Sequence, residues 1–583
     1  MSIFNIKVRK LEYFEKWLIL GIMIGVAAGI GAIIFYYLIV YVQSLFLGGI
    51  VGMTVPTASG EGSSRFVQGN FLLVPVSIIL GGLLSGFLVY KFAPEEEGHG
   101  TDAIINSFHN KNGEIRRRVP IVKAIASAIT IGSGGSAGRE GPTAQIASGI
   151  GSFLADLLKL TKKERRIAIL VGAGAGIGTI FKAPIGGALL AVEVPYKRDF
   201  ETSALFPAIV ASAVGYSIFG SIVGFQPIFG YYLGVFNPLN LPLYAVLGIG
   251  TGIFAIIYVK FFYYIHDKFK SFKISNYYKP AIGAVVVGML AILFPEIMSV
   301  GYGWVQLMVN GSISSFPTFG LPILLILIFL PFAKIVATAF SIGTGGSGGV
   351  FAPGIFVGAS VGLLFGMLFH TIFPGLVTSV APFVIVGMLA LMGGAGKIPI
   401  SVLLMITEMT GSLQLLPAAM IAVSMSYLIS GQSTLYRSQV ATREESPVHM
   451  NEYQKPILEN VKLKDLQLND ISVDAGAPVS YAIKRMKELG ISSMPVVDRT
   501  QRKKRVGMIA LLNIHSIHSK KVRAVATWDI RMVKLDSSGR VALDVMAEMK
   551  TTWVAVENDN EYVGCITLKQ IINGYKKQLE MHD

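Results

Sequence analysis

Glu140 stands inside Gly138-Arg139-Glu140-Gly141-Pro142, a carboxylate bounded by glycine and proline in an otherwise apolar stretch. A glycine-rich segment that opens a helix leaves backbone N–H groups without intrahelical partners. Those donors, together with the helix dipole, favour an anion. A carboxylate carried on the same segment competes with that anion for the same donors, and protonation releases it. The chemistry is that of a gate; a carboxylate that only caps its own helix is the structural alternative. Uncharged donors let an ion shed its water without holding it on a permanent cation, which suits passage better than storage.

The phrase occurs twice. Gly134-Gly135-Ser136-Ala137-Gly138-Arg139-Glu140-Gly141-Pro142 is answered by Gly345-Gly346-Ser347-Gly348-Gly349-Val350-Phe351-Ala352-Pro353, at an offset of 211 residues (142 to 353). Each copy is followed by a second shared phrase: Lys182-Ala183-Pro184-Ile185 leads to Glu193, and Lys397-Ile398-Pro399-Ile400 leads to Glu408, with eleven residues from Lys to Glu in both. Two related halves, about 16–222 and 241–440, are the pattern of membrane transporters whose site lies where the halves meet.

The elements that position these residues are apolar. Of 583 residues, 52% are hydrophobic and 15% charged, and the mean hydropathy is +0.60, too apolar for an ordinary soluble protein. With the bilayer as solvent, a carboxylate at membrane depth is a functional candidate by default. Segments near 16–47, 71–90, 203–222, 241–265, 279–294, 321–340, 355–371 and 376–394 approach or exceed the roughly 20 residues of a spanning helix. Stretches near 121–132, 141–159, 166–180, 184–195 and 399–410 are broken by Gly, Pro or charge and read as helices that stop partway or tilt steeply.

The formal charge of +15 gathers at Arg116–Arg118, Lys162-Lys163 and Arg165-Arg166, with Lys7, Arg9 and Lys10 at the start. Beside apolar segments this is a positive-inside signature rather than a nucleic-acid surface, and it places these loops and the N-terminus in the cytoplasm. The first apolar run is too long for a signal-peptide core, so it reads as the first membrane helix. A single cysteine, Cys565, excludes an intrachain disulfide and argues against a thiolate metal cluster; no metal site is expected. The run Gly172-Ala173-Gly174-Ala175-Gly176-Ile177-Gly178 lacks the βαβ surroundings of a dinucleotide site and reads as a close-packed membrane helix, so no enzyme is expected.

From about residue 443, Arg443-Glu444-Glu445-Ser446-Pro447 opens a charged connector, and the chain beyond it has soluble composition. Residues 471–498 run strand, helix, strand, ending in Met494-Pro495-Val496-Val497; residues 531–556 repeat the order and end in Trp553-Val554-Ala555-Val556. Each unit closes on a Val-Gly strand, Val506-Gly507 and Val563-Gly564. This order resembles a pair of CBS domains. The resemblance implies an adenine-nucleotide site built on a Thr or Ser and an Asp three residues later; here those positions are Ala510 and Asn513 in the first unit and Thr567 and Gln570 in the second. Thr567 and Asn513 are therefore the nucleotide candidates, beside a purely structural or dimerising role. The chain divides into a membrane domain over 1–442, a linker over 443–460, and CBS-like domains over 461–520 and 521–583.

In the membrane domain, Gly138–Pro142, Gly349–Pro353 and Ile400–Glu408 with Met409-Thr410-Gly411 resemble the signature motifs of the CLC family of chloride channels and chloride–proton antiporters. The resemblance implies a polytopic all-α membrane protein with an inverted internal repeat, followed by a cytoplasmic α/β CBS pair. It also implies a homodimer in the cell membrane, with one pore per subunit, chloride as ligand and no required cofactor. It assigns Glu140 the gate, and it places Arg139 and Gly141 beside it. Backbone N–H groups of Val350 and Phe351 face the anion, and Tyr436 supplies a hydroxyl contact, with an interfacial anchor as the alternative. Where many members read Gly-Ser-Gly-Ile-Pro, this chain reads Gly98-His99-Gly100-Thr101-Asp102, so His99 replaces the anion-contacting serine, unless it lies in a polar loop. Lys123 matches a lysine near the pore that attracts anions, with a snorkelling side chain as the alternative.

At Glu193-Val194 the proton-coupled pattern Glu-Glu loses its second carboxylate, and Val194 stands in the internal proton-accepting position. The expectation is chloride transport gated by Glu140, passive or weakly proton-coupled. Strict chloride–proton exchange through another proton route is the alternative. A membrane-anchored CBS sensor without flux is the reading from another class.

Overall fold

The computed structural model describes residues 11–62, 64–449, 458–500, 505–511 and 521–580. Contacts divide the chain between Val448 and His449, inside the stretch read as linker.

The first unit is helical: α1 (Tyr13–Gln43), α2 (Val74–Phe92), α3 (Gly100–Asn110), α4 (Val119–Gly132), α5 (Glu140–Leu157), α6 (Lys162–Ile180), α7 (Pro184–Glu193), α8 (Leu205–Val223), α9 (Leu241–Ser271), α10 (Lys279–Leu293), α11 (Tyr302–Val309), α12 (Ile323–Ile342), α13 (Phe351–Ile372), α14 (Ala381–Gly396), α15 (Pro399–Thr410) and α16 (Leu416–Ser430). Many of these helices begin where proline fixes the first turn at no cost in hydrogen bonds, as α4, α7, α10, α14 and α15 do. Helix α6 instead starts with a capping box between Thr161 and Glu164.

Among the described residues, six helical stretches are long and apolar enough to cross a bilayer: Tyr13–Val51, Phe71–Phe92, Thr202–Val223, Pro238–Ser271, Ile323–Ile342 and Phe351–Ile372. Helices α10 and α14, read as near spanning length, have 15 and 16 residues and fall short of the roughly 20 a straight span needs. The glycine run of α6 lets its neighbours touch its backbone. A Cβ at Gly172 would lie 2.5 Å from the Ala147 carbonyl oxygen of α5, and one at Gly174 would lie 2.5 Å from that of Gly187 in α7.

The doubled sequence is a doubled backbone. Gly134 and Gly345 take φ of +106° and +104°, which glycine reaches without steric cost. Lys182 and Lys397 both take φ of +54°, a left-handed conformation that costs a side-chain-bearing residue about 1–2 kcal/mol. Each is tied down by its ammonium: Lys182 donates to the Gly60 carbonyl at 2.8 Å and Lys397 to the Ser430 hydroxyl at 2.7 Å. The second phrases exchange partners. The Glu193 carboxylate accepts from the Ile400 and Ser401 amides at 3.0 and 2.7 Å and so caps α15. The Glu408 carboxylate accepts from the Ile185 and Gly186 amides at 3.1 and 2.8 Å and caps α7.

The second unit carries the element order twice: β1 (Val473–Asp474), α17 (Val479–Leu489), β2 (Ser493–Asp498), β3 (Arg505–Ala510) and β4 (Thr527–Trp528), then β5 (Val533–Lys534), α18 (Gly539–Met549), β6 (Trp553–Asn558), β7 (Glu561–Thr567) and α19 (Leu568–Glu580). In each repeat the short first strand pairs parallel with the next, Val473 opposite Val496 and Val533 opposite Val556, and an antiparallel strand comes after it. The Trp553 indole N–H, donating to the Ser493 carbonyl at 2.9 Å, joins the two repeats.

Candidate functional site

The glycine phrases pack against each other. Gly138 and Gly349 exchange N–H···O=C bonds, both at 2.7 Å, in an isolated antiparallel bridge that sets the N-termini of α5 and α13 side by side. The approach is close: a Cβ at Gly349 would lie 3.0 Å from the Gly138 carbonyl oxygen and 3.1 Å from the Gly141 nitrogen, so the neighbouring backbone would have to give by a few tenths of an ångström. The α3 N-terminus joins them, because a Cβ at Gly100 would lie 2.6 Å from the Gly141 carbonyl oxygen. Three helix starts thus converge, each with first-turn N–H groups lacking intrahelical acceptors.

Glu140 is wholly buried at this junction. One carboxylate oxygen accepts from the Tyr302 hydroxyl at 2.5 Å, and the other from the Ala352 amide of the opposite half at 3.3 Å. A carboxylate, acceptor-only when ionised, matches two converging donors. Phe351 packs its ring 5.2 Å from that of Phe181, and the Val350 carbonyl accepts from the Tyr258 hydroxyl at 2.8 Å. The opposite half's backbone donor on Glu140 is Ala352, the residue after the Val350–Phe351 pair whose amides are expected from sequence to face the anion. The first turn of α13 offers amides at Phe351 and Ala352, and the second one reaches the carboxylate.

His99 and Tyr436 come together at the α3 start, their rings 5.8 Å apart. His99 ends the connecting segment before α3 as its N-cap residue and is buried there at 8% exposure, with Nε2 3.4 Å from the Tyr263 hydroxyl. Tyr436 is 1% exposed, so it is no interfacial anchor. The Tyr263 hydroxyl donates to the Leu435 carbonyl at 2.5 Å, and Asp102 accepts from the Ser438 amide at 2.8 Å, which fixes the segment bearing Tyr436 against α3.

Three other positions differ from their simplest reading. Arg139 pairs its guanidinium with Glu61, lying 5.4 Å from the Tyr302 ring centre and 5.7 Å from that of Tyr36. Lys123 does not snorkel: it is fully buried in α4 and donates to the Gly98 carbonyl at 2.8 Å, directly before His99. Val194 is buried with its carbonyl on the Gln439 amide at 3.0 Å, and the preceding carboxylate, Glu193, is committed to capping α15.

In the second unit, Thr567 sits at the end of β7 with its hydroxyl and amide both donating to the Gln570 side-chain oxygen at 2.8 Å. The pair starts α19 as a helix cap. Asn513 lies outside the described residues.

Tyr302 and Glu61 were not foreseen. Tyr302 had a faint signal in Gly301-Tyr302-Gly303: Gly301 takes φ of +86°, and a Cβ at Gly303 would lie 2.0 Å from the Pro56 carbonyl oxygen. Glu61 had none, being one acidic residue of a polar loop.

A two-half helical membrane unit whose glycine-started helices converge, followed by a CBS unit, defines the class: a multi-pass membrane transporter with an attached CBS module. The comparisons give the family. The model for voltage gated chloride channels matches residues 81–431, and that for the CBS domain matches residues 463–516. The chain belongs to the voltage gated chloride channel (CLC) family and is an anion transporter of that family. The H(+)/Cl(-) exchange transporter ClcA of Salmonella agona is 30% identical over 427 residues, 70% of this chain and 85% of that one. The crystal structure of a slow cyanobacterial Cl-/H+ antiporter shares the fold with a TM-score of 0.61 at 23% identity, over 71% of this chain and 94% of that one. The structure of a eukaryotic CLC transporter aligns over 96% of this chain and 98% of that one, with a TM-score of 0.57 at 19% identity.

Proposed function

We propose that this protein moves chloride across the membrane through a pathway gated by Glu140, with weak or no proton coupling. The observation that carries the reading is the seat of the Glu140 carboxylate. It occupies the Tyr302 hydroxyl and the Ala352 amide where helix N-termini from both halves converge, so it holds donors that an anion needs. Protonation removes its charge and its hold on those donors, and chloride takes them. His99 and Tyr436 line the pathway on the side of the α3 start, and their buried pairing supports a contact with the passing ion. Val194 leaves no carboxylate beside Glu193, which favours weak coupling. Strict exchange is the second reading, favoured by the names of relatives such as the ClcA exchange transporter.

The N-terminal end of α1, the α4 start and the α6 start lie at one end of the unit, held by ion pairs such as Lys16–Glu164 at 2.8 Å and Arg165–Glu114 at 2.8 Å. This basic end is proposed to face the cytoplasm of a cell. A homodimer is proposed from the family resemblance. The CBS pair is proposed as a structural module without bound nucleotide, because Thr567 is spent on capping α19.

The test is made on the purified full chain in liposomes, following chloride efflux and proton movement under an imposed chloride gradient. Chloride flux that rises as pH falls, with little proton movement, is expected. Glu140→Gln is expected to keep the flux and lose its pH dependence. Proton entry driven uphill by chloride would replace this reading with strict exchange, and pH dependence surviving in Glu140→Gln would remove Glu140 as the gate.

A further inference from the structure

The chain between α1 and α2 brings a second carboxylate toward the gate. Glu61 pairs with Arg139, the residue next to Glu140, with only 10% of the Glu61 side chain and 5% of the Arg139 side chain exposed. Its loop is fixed at three points. The Ser59 amide donates to the Gln306 side-chain oxygen at 3.2 Å, the Gly60 amide to the Ile228 carbonyl at 2.9 Å, and Lys182 to the Gly60 carbonyl at 2.8 Å. Glu61 lines two adjoining cavities: an outer one of about 580 Å³ shared with Tyr37 and Thr54, and an inner one of about 80 Å³ shared with Arg139 and Tyr302. A continuous array therefore runs from the outer cavity through Glu61, Arg139 and the Tyr302 ring to the Tyr302 hydroxyl and Glu140.

We propose that Glu61 is a positioning residue for the gate: by neutralising Arg139, it sets how much acid is needed to protonate Glu140 and open the pathway. The proposal rests on the reading of Glu140 as the gate. An uncompensated guanidinium beside Glu140 favours the ionised carboxylate, and a burial site with few other charges leaves that influence weakly screened. The groups facing Glu61 are Arg139 from the α5 start, Lys182 from the turn before α7, Tyr36 from α1 and Tyr302 from α11. Those facing Glu140 are Tyr302 and Arg139, with Tyr258 and Tyr436 further along the junction. Arg139 is the cation common to both carboxylates, so changing Glu61 acts on Glu140 through it. The sign is fixed by that sharing: without the Glu61 charge, Arg139 acts on Glu140 alone and protonation needs more acid. Without Arg139, Glu61 and Glu140 are left as uncompensated like charges, and protonation needs less.

The test uses the full chain in liposomes with the same buffer inside and out, reading chloride efflux against pH. Glu61→Gln is expected to move the half-maximal pH downward by about one unit or more, the low end of what one neighbouring charge does to a carboxyl. Glu61→Asp is expected to restore the wild-type midpoint, and Arg139→Gln to move it upward. In the Arg139→Gln background, Glu61→Gln is expected to move the midpoint downward by less than it does in the wild type, a departure from additivity that a merely structural pair would not produce. If Glu61→Gln is too unstable to reconstitute, Glu61→Ala is read for the same downward shift, and an unmoved midpoint there overturns the role of Glu61. A flat profile in Glu140→Gln with an unmoved or upward-moved midpoint in Glu61→Gln overturns the role of Glu61 alone. A Glu140→Gln protein that keeps the wild-type pH profile overturns the gate and this proposal with it.

Discussion

Glu193 separates a frame residue from a transport residue, and its removal gives a magnitude. The carboxylate is 4% exposed and accepts from two first-turn amides of α15, Ile400 at 3.0 Å and Ser401 at 2.7 Å, and from the Ser401 hydroxyl. Truncation to alanine leaves the buried Ser401 amide without an acceptor, at about 1–3 kcal/mol, and the part-buried Ile400 amide at less. Loss of a helix cap alone costs about 0.5–2 kcal/mol. The two costs overlap, so the local loss is about 3 kcal/mol, and at 1.4 kcal/mol per factor of ten the protecting state opens about 100-fold more often. Hydrogen exchange of a peptide covering 397–410 in the detergent-solubilised protein reads this directly. Glu193→Gln, which keeps one acceptor oxygen, is expected to accelerate exchange about tenfold. Glu408→Ala is expected to do less at the α7 start, about fivefold, because Glu408 is only half-buried and water replaces it. Unchanged exchange at 399–403 in Glu193→Ala would refute the cap, and a changed proton-to-chloride ratio with protection intact would make Glu193 a proton carrier instead.

A Cβ at Gly138 would lie 2.2 Å from the Glu140 carboxylate oxygen and 3.1 Å from the Ala352 nitrogen, so Gly138→Ala is expected to expel the carboxylate from its seat. Its chloride flux should then be nearly independent of pH, as in Glu140→Gln, and a wild-type profile would refute that steric argument. With Thr567 engaged by Gln570, millimolar ATP or AMP is expected to shift the unfolding midpoint by less than about 1 °C, against the several degrees produced by a ligand at 100 times its Kd. In the CBS unit, hydrogen bonds from the Thr500 hydroxyl and amide, with the Arg523 guanidinium, hold the Asp498 carboxyl below the usual aspartate range. A depressed pKa in the folded state means stability present above the ordinary value of about 3.9 and lost as pH falls through the folded value. Acid unfolding of that unit should therefore lose this component in Asp498→Asn, and an unchanged acid limb would refute it.

What was legible in the sequence was whatever repeats or is apolar. The doubled glycine phrase announced two halves, and it proves to be a contact between them, where Gly138 and Gly349 exchange backbone hydrogen bonds at close approach. Helix α6 was legible from Gly172–Gly178, whose spacing is what lets α5 and α7 touch its backbone. The site was half legible. Residues on the repeated phrases were found, while partners brought in by distant loops were not: Tyr302 reaches Glu140 across 162 positions and Glu61 reaches Arg139 across 78. No local pattern encodes such a contact, since it depends on where the chain returns rather than on its composition. The short lengths of α10 and α14 were likewise hidden, because hydropathy does not mark where an apolar helix stops.

The halves match in frame and differ in cargo. Gly134 answers Gly345, Lys182 answers Lys397 and Glu193 answers Glu408, each pair with the same backbone or the same capping exchange. At the matched offset of 211, however, Glu140 faces Phe351. That asymmetry has a geometric cause. Glu140, from the first half, draws its donors from Tyr302 and Ala352 of the second, so one carboxylate already takes the seat at their junction. A second carboxylate at 351 would reach toward the same junction, and two ionised groups there would repel in a dry, low-dielectric place. An apolar ring packed on Phe181 fills that position without competing for the donors, which leaves one carboxylate at a junction where two halves meet.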